Sequence, residues 1–266
     1  MPGRTEGPGL WVAFHKLVSY PKLLDRMVAN GFKWLTVRSG DGGGRDGGWS
    51  REKAQELAKA CQEKGISLYT WHYSRPGRAN QEVKHIQECL EDGSQGHFVN
   101  AEVEWADKRE EAKRFGEKIR TVLPDAFIAH APFGFGTLHG NWPYKEFAAF
   151  CDEVHPQTYW TECRYGKYDK RFEQELDAWD QANNFRTGPL AAYLPDSATY
   201  CPIGVTYGKD CKALAGVARK PPGSLSLSDL ETFVRRYQHT PSWSLYTAEC
   251  EEMGCLDFVG KLLKEP

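Results

Sequence analysis

Short apolar runs alternate with longer amphipathic stretches eight times along the 266 residues of this chain. The short runs fall at residues 10–15, 32–39, 66–73, 97–105, 126–132, 153–160, 186–193 and 243–247. They are rich in Val, Ile, Phe, Tyr, Trp and Thr, side chains that suit a pleated sheet. Between them apolar residues recur at helical spacing. Leu23, Leu24, Met27 and Val28 follow Pro21, and Leu57, Ala58 and Cys61 follow an N-capping Ser50. Val83, Ile86 and Leu90 precede Gly93, and Ala112, Phe115, Ile119 and Val122 precede Pro124. Further helices are expected over residues 144–151, 169–182, 228–237 and 256–264. Eight strand-then-helix units of this length are what a (β/α)8 barrel needs. A doubly wound open sheet would place a glycine fingerprint straight after the first strand, where Ala13-Phe14-His15-Lys16-Leu17 stands. No linker or composition shift divides the chain, so residues 1–266 read as one α/β domain, a single TIM barrel.

Two connections are unusual. Residues 40–48, Gly-Asp-Gly-Gly-Gly-Arg-Asp-Gly-Gly, follow the second strand. No Gly-Lys-Ser/Thr closes them, so they are not a phosphate-gripping loop and are expected to be flexible. The stretch from Pro195 to about Leu225, after the expected seventh strand, is long enough to cap or line a site. Both leave the C-terminal ends of strands, the face where barrel enzymes keep their chemistry.

Charge and composition exclude several classes. Thirty-four basic against 36 acidic residues give a net charge of -2, which offers no attraction to nucleic acid or to an anionic membrane. No apolar run approaches the roughly 20 residues of a membrane-spanning helix. The first residues lack the apolar stretch of a signal peptide, so a cytoplasmic protein at synthesis is expected, with release to a cell wall by another route. The eight cysteines contain no CxxC pair, which argues against a structural zinc site. Cys61, Cys89 and Cys151 fall in helical segments and the rest in or beside loops. Reduced thiols are expected, with Cys201–Cys211 as the pair most open to oxidation.

The fourth strand, Phe98-Val99-Asn100-Ala101-Glu102-Val103-Glu104-Trp105, carries the most chemical information. Alternation puts Asn100, Glu102 and Glu104 on one face and the small or apolar Ala101 and Val103 on the other. The polar set is therefore expected to point into the barrel. Neighbouring carboxylates raise one another's proton affinity, which leaves one of them able to act as an acid. The bland alternative is a solvated pair at a strand end, or an ion pair with Arg38. Trp71, Trp105, Trp142, Trp160 and Trp243 fall near expected strand ends, where flat rings suit the faces of sugars. The alternative for each is ordinary core. His15, His72, His130 and His155 lie in strands, but neither His-x-His nor His-Glu-x-x-His occurs, so no metal or other cofactor is expected. His72 and Tyr73 are adjacent, so only one of them faces inward.

These residues resemble a known group. Asn100-Ala-Glu102-Val-Glu104-Trp105 is similar to the Asp-x-Glu that ends strand four in the family 25 lysozyme-type muramidases, and more distantly to the end of the Asp-x-x-Asp-x-Asp-x-Glu signature of family 18 chitinases. Residues 68–76 resemble the muramidases' third strand, and Gln157-Thr-Tyr159-Trp160 and Trp243 with Tyr246 fit the same plan. The muramidases' strand-one aspartate has no counterpart in Ala13-Phe14-His15. The resemblance implies a glycosidase acting on an N-acetylhexosamine polysaccharide, peptidoglycan first, as in an endolysin. It gives Glu104 the place of the catalytic acid and Glu102 that of the acid assisting the substrate's acetamido group. Tyr159, Trp160, His72, Arg38, Trp243 and Asn100 are the expected saccharide contacts. The partner is then the polysaccharide alone, bound by a monomer. A barrel that kept the sugar groove and lost catalysis is the alternative.

Overall fold

The structure is a computed structural model that describes residues 4–133, 139–159, 199–206, 225–250 and 254–265. Its sheet is built from parallel strands β1 (Gly7–Val12), β2 (Trp34–Asp41), β3 (Ser67–Ser74), β4 (His97–Ala101), β5 (Ile128–His130), β6 (Glu153–Val154), β7 (Thr199–Tyr200 and Ile203–Val205) and β8 (Ser242–Tyr246). Each strand pairs with its successor in the chain, and β8 pairs with β1. A bridge between Gln157 and Ile203 joins the end of β6 to the second half of β7. The ring of eight is closed, as the alternation predicts.

The described helices are α1 (Tyr20–Ala29), α2 (Arg51–Glu63), α3 (Ala79–Glu91), α4 (Arg109–Val122), α5 (Tyr144–Ala148), α6 (Leu227–Tyr237) and α7 (Cys255–Leu262). Their starts follow the sequence signals: Pro21 lies in the first turn of α1, and the Ser50 side chain accepts a hydrogen bond from the Lys53 amide of α2. No described helix is long and apolar enough to cross a membrane.

The seventh strand departs from expectation. Residues 186–193 lie outside the described residues, and the seventh place in the ring is held by residues 199–205, within the stretch read as a loop. The helix expected over 169–182 also lies outside the described residues. Cys201 sits between the two halves of β7 and Cys255 opens α7; both are buried free thiols, as are Cys61, Cys89 and Cys151. Cys211, the expected partner of Cys201, is outside the described residues.

Strand alternation creates two cores. Leu10, Leu35, Leu68 and Leu245 face the helices, while Trp11, Trp34, Tyr69, Trp71 and Phe98 fill the barrel interior. There the Trp34 and Phe98 rings stack at 5.7 Å. Trp243 belongs to the outer core, edge-on to Phe32 and Phe233 and 1% exposed. It is therefore no part of a sugar groove. Trp243→Ala should cost about 3–5 kcal/mol of stability and leave the saccharide affinity of the remaining folded protein unchanged. Denaturant melts paired with binding isotherms test both halves.

The glycine-rich segment is also not the flexible loop expected. Gly44–Arg45 folds back antiparallel on β2, and the Gly42 amide donates to the Tyr73 carbonyl at 2.8 Å. Gly43 has φ +86, and a Cβ there would lie 2.5 Å from Gln81, so only glycine permits this turn against α3. The turn holds Asp41 beside the end of β3.

Candidate active site

At the C-terminal end of the ring, β4 stops at Ala101 and Val103–Trp105 forms a single 3-10 turn. The strand does not continue to Trp105 because that indole is drawn into the outer core, where it packs on Phe115 and Phe147 at 5.7 and 5.1 Å. Its Nε1 donates to the Ser74 carbonyl, and Trp142 Nε1 donates to the Glu102 carbonyl at 3.0 Å. Glu102 thus leaves the strand end, while Glu104 leaves the turn. Strand alternation alone does not place both on one face.

The two carboxyls still converge. Tyr73 donates from its hydroxyl to Glu104 Oε2 at 2.6 Å and reaches Glu102 Oε2 at 3.5 Å. Beyond this shared contact their surroundings differ. Glu102 is largely enclosed: Asn100 Nδ2 donates to its Oε1 at 3.1 Å, and Gln157 Nε2 lies 3.5 Å from the same oxygen. Burial pushes its pKa above the ordinary carboxylate value; the amide donors pull the other way, and the nearby charge of Glu104 adds to the rise. Glu104 is half-exposed and ion-paired, with Arg75 Nη1 at 2.6 Å from its Oε1. Arg75 also grips Asp41 with Nε and Nη2 at 2.9 and 3.2 Å, and its guanidinium lies 4.5 Å from the centre of the Tyr73 ring. That fork holds the Asp41 carboxyl below its ordinary value, and burial drives the Tyr73 phenol well above its own.

Among the expected contacts, Asn100 stands where the pattern put it, accepting from Gln157 at 2.8 Å while donating to Glu102. Tyr159 lies at the same end of the ring and stacks on Tyr246 at 5.4 Å. Arg38 pairs with Asp46 at 2.9 Å and lies 5.6 Å from the Trp71 ring centre; it forms no ion pair with Glu102 or Glu104. Trp160 lies outside the described residues. Trp71, Trp105 and Trp142, like Trp243, are core residues no more than 4% exposed, so these four do not form a groove.

His72 is not a saccharide contact. It points outward between the sheet and α3, fully buried, with Nε2 at 3.0 Å from Glu82 and Nδ1 at 2.7 Å from His97. Of the adjacent pair it is Tyr73 that faces inward. Parity with the apolar Leu68 and the inward Tyr69 and Trp71 was the signal for this. Arg75 and Gln157 fall in stretches that fit the muramidase plan, but no site role was expected for them or for Asp41. Nor did anything mark Glu249, whose largely buried carboxyl, pushed above its ordinary value by that burial, caps the end of β1. It accepts from the Ala13 and Phe14 amides and from the Thr247 hydroxyl.

Among the described residues, one group brings metal-ligating atoms together. Glu153, His155 and Cys201 cluster where the barrel interior meets Thr5. His155 Nε2 and Glu153 Oε2 are 2.9 Å apart, a hydrogen bond, against about 3.3 Å for two ligands of a tetrahedral zinc. Thr5 completes the cluster through its amide and hydroxyl.

No family model and no curated protein matches the sequence. Solved structures do match. A chitinase from Chromobacterium violaceum superposes with a TM-score of 0.63 at 14% identity, over 98% of this chain and 100% of that one. A glycoside hydrolase family 18 N-acetylglucosaminidase from Paenibacillus barengoltzii gives 0.62 at 8% identity, over 97% and 100%. The Bacillus cereus spore cortex-lytic enzyme SleL gives 0.58 at 11% identity, over 99% and 76%. What they share with this chain is the (β/α)8 fold. Family 18 chitinases, the more distant of the two expected resemblances, are among these fold neighbours, and no family 25 muramidase is among those named here.

Proposed function

We propose that this chain hydrolyses glycans containing N-acetylglucosamine, with Glu102 as the proton donor. The observation that carries the reading is the pair of unlike carboxyls at the C-terminal mouth, bridged by the single hydroxyl of Tyr73. A glycosidic oxygen is a poor leaving group until it is protonated, and a buried carboxyl with a raised pKa keeps its proton near neutrality. Burial shifts Glu102 in that direction. Glu104, expected from the sequence as the donor, is held by Arg75 at 2.6 Å and is the weaker candidate of the two. Glu104 then faces the positive charge that grows on the sugar as the bond breaks.

The stacked Tyr159 and Tyr246 supply an aromatic surface at the same end of the ring, and both surfaces lose water when a sugar ring covers them. Several fold neighbours are named as acting on chitin, and one is named as lytic for spore cortex. Peptidoglycan remains the first candidate polymer and chitin the second. Incubating the protein with purified cell walls and, separately, with chitin oligosaccharides should release reducing ends from at least one of them. Binding without any release would favour a carbohydrate-binding module.

A further inference from the structure

We propose that Arg75 is a positioning residue that helps decide which carboxyl of the pair carries the proton: by pairing with Glu104 it favours the proton on Glu102. This rests on the acid role given to Glu102 above. Four contacts fix Arg75 with little freedom. Its backbone amide donates to Glu82 Oε1 at 2.6 Å. Its Nε and Nη2 take both oxygens of Asp41, its Nη1 takes Glu104, and the plane of its guanidinium covers the Tyr73 ring. A planar fork of this kind binds two carboxylates at set angles, which a lysine ammonium cannot do.

Glu82 makes the anchor rigid. It is fully buried in the first turn of α3 and takes three donors: the Arg75 amide, the Ser74 hydroxyl at 2.7 Å and His72 Nε2 at 3.0 Å. Those donors flank Tyr73 on the outer side of β3, so one buried carboxylate holds the segment from which both Tyr73 and Arg75 reach inward. Among the described residues, the charged and titratable groups around the pair are Tyr73 and Arg75 from β3 and its end, and Asp41 from β2, with Arg38 bonded to that aspartate at 3.4 Å.

Burial already favours the proton on Glu102, and a single cation placed against Glu104 adds to that preference. Asp41 keeps the cation in place, and the glycine turn keeps Asp41 in place. The ordered glycine segment is thereby connected to the acid.

The test is a carboxyl-carbon NMR titration of protein labelled at its glutamate side chains, with Glu102 and Glu104 assigned through their Gln variants. In the natural protein the titration step above the ordinary carboxylate range should appear on the Glu102 carbon alone. In Arg75→Gln the step should spread onto the Glu104 carbon, and in Arg75→Lys it should do so in part. Asp41→Asn, which loosens the arginine without removing it, should act in the same direction and serves if Arg75→Gln fails to fold. Turnover in Arg75→Gln should fall about tenfold or more while saccharide affinity stays within about threefold, the mark of a group acting through the acid. A step that stays on Glu102 alone in both Arg75→Gln and Asp41→Asn would overturn the proposal. If the titrations behave as stated but Glu102→Gln turns over normally, the proton assignment stands and the catalytic reading fails.

Discussion

Glu102→Gln should lower glycan turnover by about two to three orders of magnitude, the span of a lost general acid, while the protein stays folded. The amide keeps the shape of the side chain and still accepts from Asn100 and Gln157 through its oxygen. What it loses is the proton. Because the donor must be protonated to act, the rate of the natural protein should fall as pH rises through the Glu102 titration. Burial, the largest influence on that group, sets this limb above the ordinary carboxylate range. Kinetics on a chitin oligosaccharide across pH, with circular dichroism as the folding control, read both effects. Near-normal turnover in the variant would remove Glu102 from the role.

Acid should unfold this barrel well before its surface charges would suggest. Burial holds His85 and His130 neutral, with pKa values pushed down to about 3. The unfolded chain protonates them near 6.5, so between these limits it binds more protons than the native state. Their contribution is fully present above about pH 6.5 and is lost as pH falls, at about 1.4 kcal/mol per histidine per pH unit. At pH 4 the two together cost roughly 7 kcal/mol, which rivals the whole stability of an ordinary domain. His97, also fully buried, acts in the same direction. Glu102 and Glu249 oppose it, because carboxyls with raised pKa values favour the folded state at low pH.

Urea melts at pH 7, 5.5 and 4 should show the midpoint falling steeply below about pH 6. His130 has no hydrogen-bond partner on either ring nitrogen and stacks on Trp142 and Phe147. His130→Phe should therefore flatten the curve by one histidine's share. A midpoint unchanged from pH 7 to 4 would contradict the account.

The ring itself was legible because apolar periodicity is local: β1, β2, β3 and β8 lie within about three residues of the runs that announced them. The seventh strand was not, for a local reason. Residues 199–205 are broken by Cys201-Pro202 and offer only Ile203-Gly204-Val205 as an apolar run, and the pairing that makes them a strand comes from β6 and β8. The site was legible as a pair of carboxyls and illegible as a geometry. Glu104 depends on where the chain leaves β4, and that is fixed by the burial of Trp105 between α4 and α5. Arg75 meets Glu104 across 29 positions of sequence, and neither residue type nor spacing marks that pairing. The four described tryptophans of the expected groove, Trp71, Trp105, Trp142 and Trp243, turned out to be core for a similar reason. An aromatic near a strand end looks the same in sequence whether it faces sugar, the barrel interior or a helix.

The central claim is that Glu102 protonates the scissile oxygen of an N-acetylglucosamine linkage. A crystal structure of the Glu102→Gln variant with a chitin oligosaccharide bound tests it most directly. The account predicts the sugar chain across the mouth, with the residue-102 side chain at hydrogen-bond distance from a glycosidic oxygen and a sugar ring against Tyr159 and Tyr246. A sugar bound away from the pair, or one whose glycosidic oxygen meets Glu104 instead, would contradict it.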